Sequence, residues 1–297
     1  MTNKNNEKII QLLKSDDLME TIYTDMKKLG FDGHRLEILL IYLTVISRLT
    51  KYGIYTCFKT EKSRQSAFEL INKLVSPGGI RKINSISEQG LCHIPDIKDQ
   101  CLLMGGLDKA GIFQTLLRDN QVSHLYKEDN NENSKVVTKK LFFFGSAFLA
   151  EHTELTDEEK NLFFFINQDK PLTGMWNMLK KDKTKTQSIL QKHHKIQDCI
   201  ESLFVIFPDK ILDKISFPLI STRHPYDYKR FKRIISVICI LRHYQKQKRQ
   251  LDDSTTGIEI DSFDYRLGYE IFIHSIKEDD TFRQEDREMI TKPEVFE

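Results

Sequence analysis

The sequence predicts an α/β core that is preceded by helices and followed by a helical region. Three observations favour this fold class. Short apolar segments alternate with amphipathic ones in the first part of the chain, as in layered α/β folds. Continuous apolar runs such as LFFF are typical of buried parallel strands. From Pro171 onward the apolar spacing is helical. The expected divisions are helices in 1–29, the α/β core in 30–170, the helical region in 171–280 and a flexible acidic tail in 281–297.

The first elements are predicted to be helices. Apolar residues recur at three- and four-residue spacing over 5–28, and Gly30 is a plausible stop. The next helix, from about His34 to Lys51, is apolar on most of its surface. A helix of that kind is buried, so we expect this one inside the protein.

The period changes after this helix. The segment IYTCF at 54–58 is β-branched and aromatic and predicts a strand, followed by a helix at 65–75. Further strands are predicted at 100–104, 122–126, 136–144 and 162–166, with a short helix at 112–117 and a hairpin tip at 130–134. The helices predicted beyond Pro171 are 171–181, 184–204, 225–249 and 262–277.

Composition excludes several classes of protein. Of 297 residues 39% are hydrophobic and 30% are charged, which suits a folded core, and the net charge is +2. The five cysteines are odd in number and form no C-x-x-C pair, which disfavours a disulfide framework. The polar N-terminus and the short longest apolar run, 38–46, predict a cytoplasmic protein without a signal peptide or membrane span. Cys92, His93 and Cys101 lack a fourth ligand, so no metal site is expected.

Charge is distributed unevenly near the C-terminus. Residues 221–250 carry nine Lys/Arg against one acid, Asp227, whereas 251–297 carry five Lys/Arg against fourteen acids. The basic segment is interpreted either as a solvated helix face or as a phosphate-contacting surface for nucleic acid. Its candidate nucleic-acid-binding residues are Arg223, Lys229, Arg230, Lys232, Arg233, Arg242, Lys246, Lys248 and Arg249, with Tyr226, Tyr228 and Tyr244 as possible stacking partners for bases. A second basic stretch, 180–195, leaves the same two interpretations open.

The order of these segments resembles a P-loop NTPase, specifically the helicase-like AAA+ ATPase domain attached to some bacterial and mobile-element DNA primases. The resemblance begins at KLGFDGHRLEILLIYLTVISRLTKYGIYTCFKTEKSRQSAFELINKL and continues through DQCLLMGGLDKAG, LFFFGSAFLAEHTE, FPLISTRHPYDYKRFKRIISVICILRHYQKQKR and DSFDYRLGYEIF. It covers roughly residues 10–280. The resemblance implies a three-layer AAA+ core and assembly side by side, either with copies of itself or with an active AAA+ relative or primase.

The phosphate loop of this family departs from its pattern here. A working loop needs glycines so that backbone N–H groups can surround phosphate, a Lys for the β/γ-phosphates and a Ser/Thr for Mg²⁺. The matching stretch, Lys59 to Ser66, contains no glycine. Ser66 holds the Mg²⁺ position, Gln65 replaces the Lys and Arg64 replaces the last Gly, while Lys62 remains as a possible substitute cation.

The other catalytic positions implied by the resemblance are also altered. Gly105 and Gly106 stand where the strand should end in metal-holding acids, and Asp108 is the nearby carboxylate. Lys160 or Asn161 stands where the family has its trans-acting Arg, and the point charge of a lysine does not replace a planar guanidinium. Ser146 matches the sensor position.

These departures predict a pseudo-ATPase without catalytic residues, bound metal or cofactor. We expect a DNA-binding or assembly component of a DNA replication or mobile-element system. One alternative is a divergent ATPase or helicase-type motor that binds ATP and Mg²⁺ through Lys62, Arg64, Ser66 and Asp108. The other is a stand-alone DNA-binding or adaptor protein with no assembly role.

Overall fold

The computed structural model describes residues 2–59, 61–83, 97–105, 116–119, 121–130, 133–149, 155–156, 160–166, 183–208 and 224–277. Its helices are α1 (Thr2–Leu13), α2 (Leu18–Leu29), α3 (Arg35–Ser47), α4 (Glu61–Leu74), α5 (Lys183–Asp198), α6 (His224–Leu241) and α7 (Ser262–Lys277). The strands are β1 (Tyr55–Phe58), β2 (Ile80–Ile83), β3 (Ile97–Met104), β4 (Gln121–Asn130), β5 (Asn133–Leu149), β6 (Phe164–Ile166), β7 (Phe204–Ile206), β8 (Lys248–Gln250) and β9 (Thr256–Glu259).

The main sheet is parallel and has the order β2-β3-β5-β1-β6. Strand β4 forms an antiparallel hairpin with the first part of β5, and Asn130 pairs with Asn133 beside the predicted tip. The alternation of strands and helices that predicted an α/β core is thereby confirmed. Strand β2 has four residues and no clear period of two, so the sequence did not reveal it.

A bulge in β3 is matched by a glycine in β5. The register shifts between Lys98 and Cys101, and Asp99 adopts a positive φ of 55°. A Cβ at Gly145 would lie 2.3 Å from the Gln100 carbonyl oxygen, so only glycine allows the two strands to approach this closely.

Helix α3 lies at the centre of the larger apolar core. Its N-terminus has a capping box, in which the His34 side chain accepts from the Leu36 N–H and Glu37 accepts from the His34 N–H. Thr44 of this helix hydrogen-bonds Thr56 of β1 at 2.8 Å. The core around α3 contains apolar residues from α1 through α7. A second apolar cluster covers the opposite face of the main sheet, where Tyr55 and Phe165 lie. The prediction that this helix is buried is confirmed.

The region predicted as helical beyond Pro171 is helical only in part. Helices α5, α6 and α7 match the predicted ones, but β7, β9 and β8 form a three-stranded sheet in that order. The helices predicted at 184–204 and 225–249 were therefore wrong at their C-terminal ends. Strands of three or four residues are stabilised by pairing with distant segments and carry too few residues to show a period.

Some predicted elements fall outside the described residues. These are the helix at 171–181, the tail at 281–297 and the first residues of the helix predicted at 112–117, of which 116–119 are described as helical. Among the helices of the described part, none combines the length and the apolar character that a membrane crossing would need.

Candidate functional site

The predicted nucleotide site falls at the carboxyl edge of the parallel sheet, where open α/β sheets bind ligands. Strand β1 ends here at Phe58, and the N–H of Lys59 donates to the Ile166 carbonyl oxygen of β6 at 3.1 Å. Helix α4 begins at Glu61. The connection between β1 and α4 therefore consists of two residues, Lys59 and Thr60.

The predicted phosphate loop at 59–66 is mostly helix in the structure. Lys62, Arg64, Gln65 and Ser66 lie in the first two turns of α4, with side chains outside the described part. A helix that begins at Glu61 bonds the N–H groups from residue 65 onward to carbonyls four residues earlier. Those amides are therefore not available to surround a phosphate. The predicted loop was too long because the phosphate-loop pattern of the family was aligned with Ser66 at its last position. Without glycine in this stretch, the helix instead begins at Glu61.

The second catalytic position also lies at this edge. Gly105 follows β3, and its N–H donates to the Ile83 carbonyl oxygen of β2 at 3.1 Å. The peptide thus continues the sheet where the resemblance expects acidic ligands. Gly106 and Asp108 lie outside the described residues. Among the described residues no group of three or more His, Cys, Asp or Glu is arranged to hold a metal ion.

Ser146 lies inside the sheet and not at its edge. It pairs in register with Cys101 of β3 and is fully buried. Burial raises the pKa of the Cys101 thiol to about 12. Ser146 therefore contacts the core, three residues before β5 ends.

Lys160 lies at the opposite edge of the sheet from Lys59. It precedes β6 by four residues, and its carbonyl oxygen accepts from the Phe163 N–H at 3.1 Å in a tight turn. The structure therefore groups Lys59, Gly105 and the start of α4, and leaves Ser146 and Lys160 apart from them. The role predicted for Lys160 towards a neighbouring subunit stays a prediction.

Two of the predicted nucleic-acid ligands form an internal ionic cluster. Arg242 Nη1 contacts Asp261 Oδ1 at 3.0 Å and Asp264 Oδ1 at 2.5 Å, and Lys246 Nζ contacts the same two acids at 2.8 and 2.5 Å. Asp264 is fully buried. Asp261 and Asp264 also accept from each other's N–H groups and so cap α7. These cations hold the beginning of α7 to the end of α6.

The cluster sets the protonation of its members. Burial raises the pKa of Asp264, and the two cations oppose that rise. Burial opposes ionisation of Asp261 as well, but hydrogen bonds and the charge of Lys246 outweigh it and lower the pKa of Asp261 to about 2. The pKa values of Arg242 and Lys246 are raised by Asp264 against the effect of burial. The two cations in contact favour the ionised form of both carboxylates.

Other predicted ligands in α6 also contact the protein itself. Arg230 is buried, contacts Asp227 at 3.0 Å and lies 4.4 Å from the centroid of the Phe164 ring. Arg233 is 9% exposed and lies over the Tyr55 ring. Lys229 donates to the Arg118 carbonyl oxygen at 2.8 Å. Arg223 lies outside the described residues.

The ends of the basic segment differ in their partners. Lys248 contacts Glu201 at 2.5 Å and Arg249 contacts Glu259 at 2.7 Å, both near the surface. Lys232 instead lies over the Phe207 and Tyr228 rings, with its Nζ 4.7 and 5.0 Å from their centroids. Most of the described cations of 221–250 therefore contact acceptors of the same chain, and phosphate contact by this segment stays a prediction.

The second basic stretch contributes to a buried contact between α2, α3 and α5. His193 Nε2 lies 3.2 Å from Asp25 Oδ2, and its Nδ1 lies 3.0 Å from the Tyr42 hydroxyl. Lys192 pairs with Asp25. Burial lowers the pKa of His193, so its imidazole is neutral in the folded protein. The basic residues of 180–195 did not predict this network from sequence, because their acidic partner, Asp25, lies far away in the chain.

Comparison with known proteins supports the fold. No family model matches the chain, and no curated protein is similar to it. Among solved structures, the fold is similar to that of a full-length MCM homolog from Methanopyrus kandleri, with a TM-score of 0.58 and 8% identity. The shared fold is a mixed α/β one with a parallel central sheet. The match covers 94% of this chain and 62% of the MCM homolog, so the chain spans less than two thirds of its length. The predicted fold class is confirmed, and at this identity the likeness concerns the fold alone.

Proposed function

We propose that this protein is an AAA+-like scaffold that does not hydrolyse ATP and that works as an assembly or DNA-binding component of a DNA replication or mobile-element system. The observation that carries the proposal is the short connection from β1 to α4. Helix α4 begins at Glu61, three residues after Phe58, and no glycine occurs between Lys59 and Ser66.

This connection removes the chemistry on which phosphoryl transfer depends. A phosphate loop stabilises the transition state with backbone N–H groups, a Lys and a metal ion, and loss of one such group costs on the order of 10²–10³ in rate. Gln65 cannot supply the charge of the missing Lys, and Gly105 cannot hold a metal ion. Several such losses together leave little ATPase activity to expect.

Titration of the full chain with MgATP, followed by calorimetry, tests this proposal. We expect no binding at micromolar concentration and no phosphate release above the level of a buffer blank. Micromolar affinity, or turnover that Ser66→Ala abolishes, would instead favour the divergent ATPase. Glu69→Ala, further along α4, serves as the matched control because it keeps the helix and changes no predicted ligand.

The proposed role in assembly is tested by a separate measurement of molar mass. Light scattering should give the same molar mass with and without MgATP, because a scaffold of this kind assembles through protein contacts alone. A mass that rises only with nucleotide would contradict the non-catalytic role. A monomer at every concentration that also captures no AAA+ relative or primase would favour the stand-alone DNA-binding or adaptor protein.

A further inference from the structure

A stripe of lysines and aromatic rings runs beside strand β7 and includes Lys232 and Tyr228 of the basic segment described above. Lys51 Nζ lies 3.7 Å from the centroid of the Phe204 ring and 5.5 Å from that of Tyr52. Lys232 lies over Phe207 and Tyr228. Because Phe204 and Phe207 are three residues apart in extended chain, the two lysines flank one short segment of about 10 Å.

The cations of this stripe differ from those around them in what they contact. Lys51 and Lys232 make their described contacts with rings, and within the described residues neither has a carboxylate partner. By contrast, Lys246, Lys248 and Arg249 are each paired with acids. A ring orients a nearby ammonium group without neutralising it. The stripe therefore keeps net positive charge at the surface.

One ring of the stripe, Phe204, is open to a ligand, whereas Phe207 and Tyr228 are half-buried. Phe204 is 42% exposed, which only Leu251 matches among the large apolar side chains of the described residues. Strand β7 is held from behind, because Val205 is buried and its N–H donates to the Tyr52 hydroxyl at 3.1 Å. The Phe204 ring is thus presented on a fixed backbone.

We propose that this stripe, Lys51, Phe204, Phe207, Lys232 and Tyr228, is a binding surface for single-stranded nucleic acid. Exposed rings provide faces on which bases stack, and the ammonium groups beside them contact the phosphates. An aromatic ring beside a lysine that is not paired with a described carboxylate suits a polyanion that carries planar bases. This inference rests on the nucleic-acid side of the proposed function. It assigns the contact to β7 and the neighbouring part of α6, and not to the acid-paired cations that follow α6.

Fluorescence anisotropy of a labelled oligothymidylate with the full chain tests the surface. Phe204→Ala should weaken binding about tenfold, because one stacking contact is lost, whereas Phe204→Tyr keeps the ring and should bind as the unchanged protein does. The double change Lys51→Met with Lys232→Met should reduce the slope of log affinity against log salt by about 1.4, or 0.7 for each phosphate contact.

Arg249→Met and Lys248→Met are the matched controls, because both cations are exposed and acid-paired. Equal weakening by these controls would overturn the assignment, as would the absence of oligothymidylate binding by the unchanged protein. Displacement of the oligonucleotide by polyglutamate at equal charge concentration would assign the surface to an acidic polypeptide instead. Failure of this inference is separable from failure of the proposed function, because MgATP titration measures the latter without DNA.

Discussion

Lys246 and Lys232 lie in one basic segment of the sequence and have opposite environments in the fold. Lys246 is almost completely buried and contacts two aspartates, one of them fully buried. Lys232 lies over two rings and contacts no carboxylate in the part of the chain that the structure describes. The comparison teaches that a run of positive charge has no single meaning. One cation stabilises the fold, and the other remains available to a ligand.

The partners explain why the two environments arise. The acids that follow the basic segment include Asp261 and Asp264, and the turn after α6 returns the chain so that Lys246 meets both of them. Lys232 lies within α6, fourteen residues before Lys246, where the adjacent segment after β7 supplies Phe207. Whether a cation meets an acid or a ring therefore depends on whether it lies within α6 or in the turn that follows the helix.

The largest effect expected from this comparison concerns the buried cluster. Lys246→Met should lower the free energy of unfolding by about 3 kcal/mol, because it leaves Asp264 buried with one of its two cations. Urea denaturation measures the change. The same substitution in the exposed pair, Lys248→Met, should cost less than about 1 kcal/mol. Equal losses for the two variants would break the distinction between a buried and an exposed ion pair.

A smaller effect is expected from acid. The pKa of Asp261 is lowered to about 2 from an ordinary value near 3.8, so its contribution to stability is present above about pH 4 and is lost as the pH falls towards 2. Asp261 is half exposed, and solvent screening reduces the contribution to about 1 kcal/mol.

The stability difference between the unchanged protein and Asp261→Asn measures this contribution as a function of pH. It should stay constant from pH 7 to about pH 4 and shrink below that value. Asp253→Asn, at an exposed acid outside the cluster, is the control. A difference that stays unchanged down to pH 2 would show that the cluster does not favour the ionised form of Asp261.

The smallest effect is expected at the ring-paired lysines. Lys51→Met should change the free energy of unfolding by about 0.5 kcal/mol, since an exposed cation–π contact contributes little. Thermal unfolding measured by circular dichroism checks this value. A loss as large as that of Lys246→Met would mean that Lys51 holds the fold together, and a role in ligand binding would lose its support.

Prediction from sequence succeeded where local spacing carried the information. The helix around Leu40 was recognised because apolar residues cover its whole surface, and the strand around Cys57 was recognised from its β-branched and aromatic residues. The loss of glycine between Lys59 and Ser66 was also visible without a structure. The effect of the missing glycines on the backbone was not visible. The phosphate-loop pattern was aligned at Ser66 and predicted a loop over residues that form the start of α4, from Glu61 onward.

Prediction from sequence did not reach contacts that depend on a distant partner. The sensor role of Ser146 stays a prediction, and its place in β5 opposite Cys101 follows from strand register. Arg242 was interpreted as a phosphate contact or as part of a solvated helix face, and its ion pair with Asp264 was not foreseen. Neither pairing leaves a local pattern. The small sheet of β7, β9 and β8 was missed for the same reason, since three-residue strands depend on one another for their hydrogen bonds.

The sequence by itself determined the order of most helices and strands in the α/β core, the buried central helix and the absence of a glycine-rich phosphate loop. These features follow from side-chain type and spacing, which act within a few residues. The tertiary structure alone decided which charges are neutralised, where the sheet continues through Gly105 and which rings remain exposed. Ion pairing and strand register join residues far apart in the chain, and their energies depend on burial that only the folded protein creates.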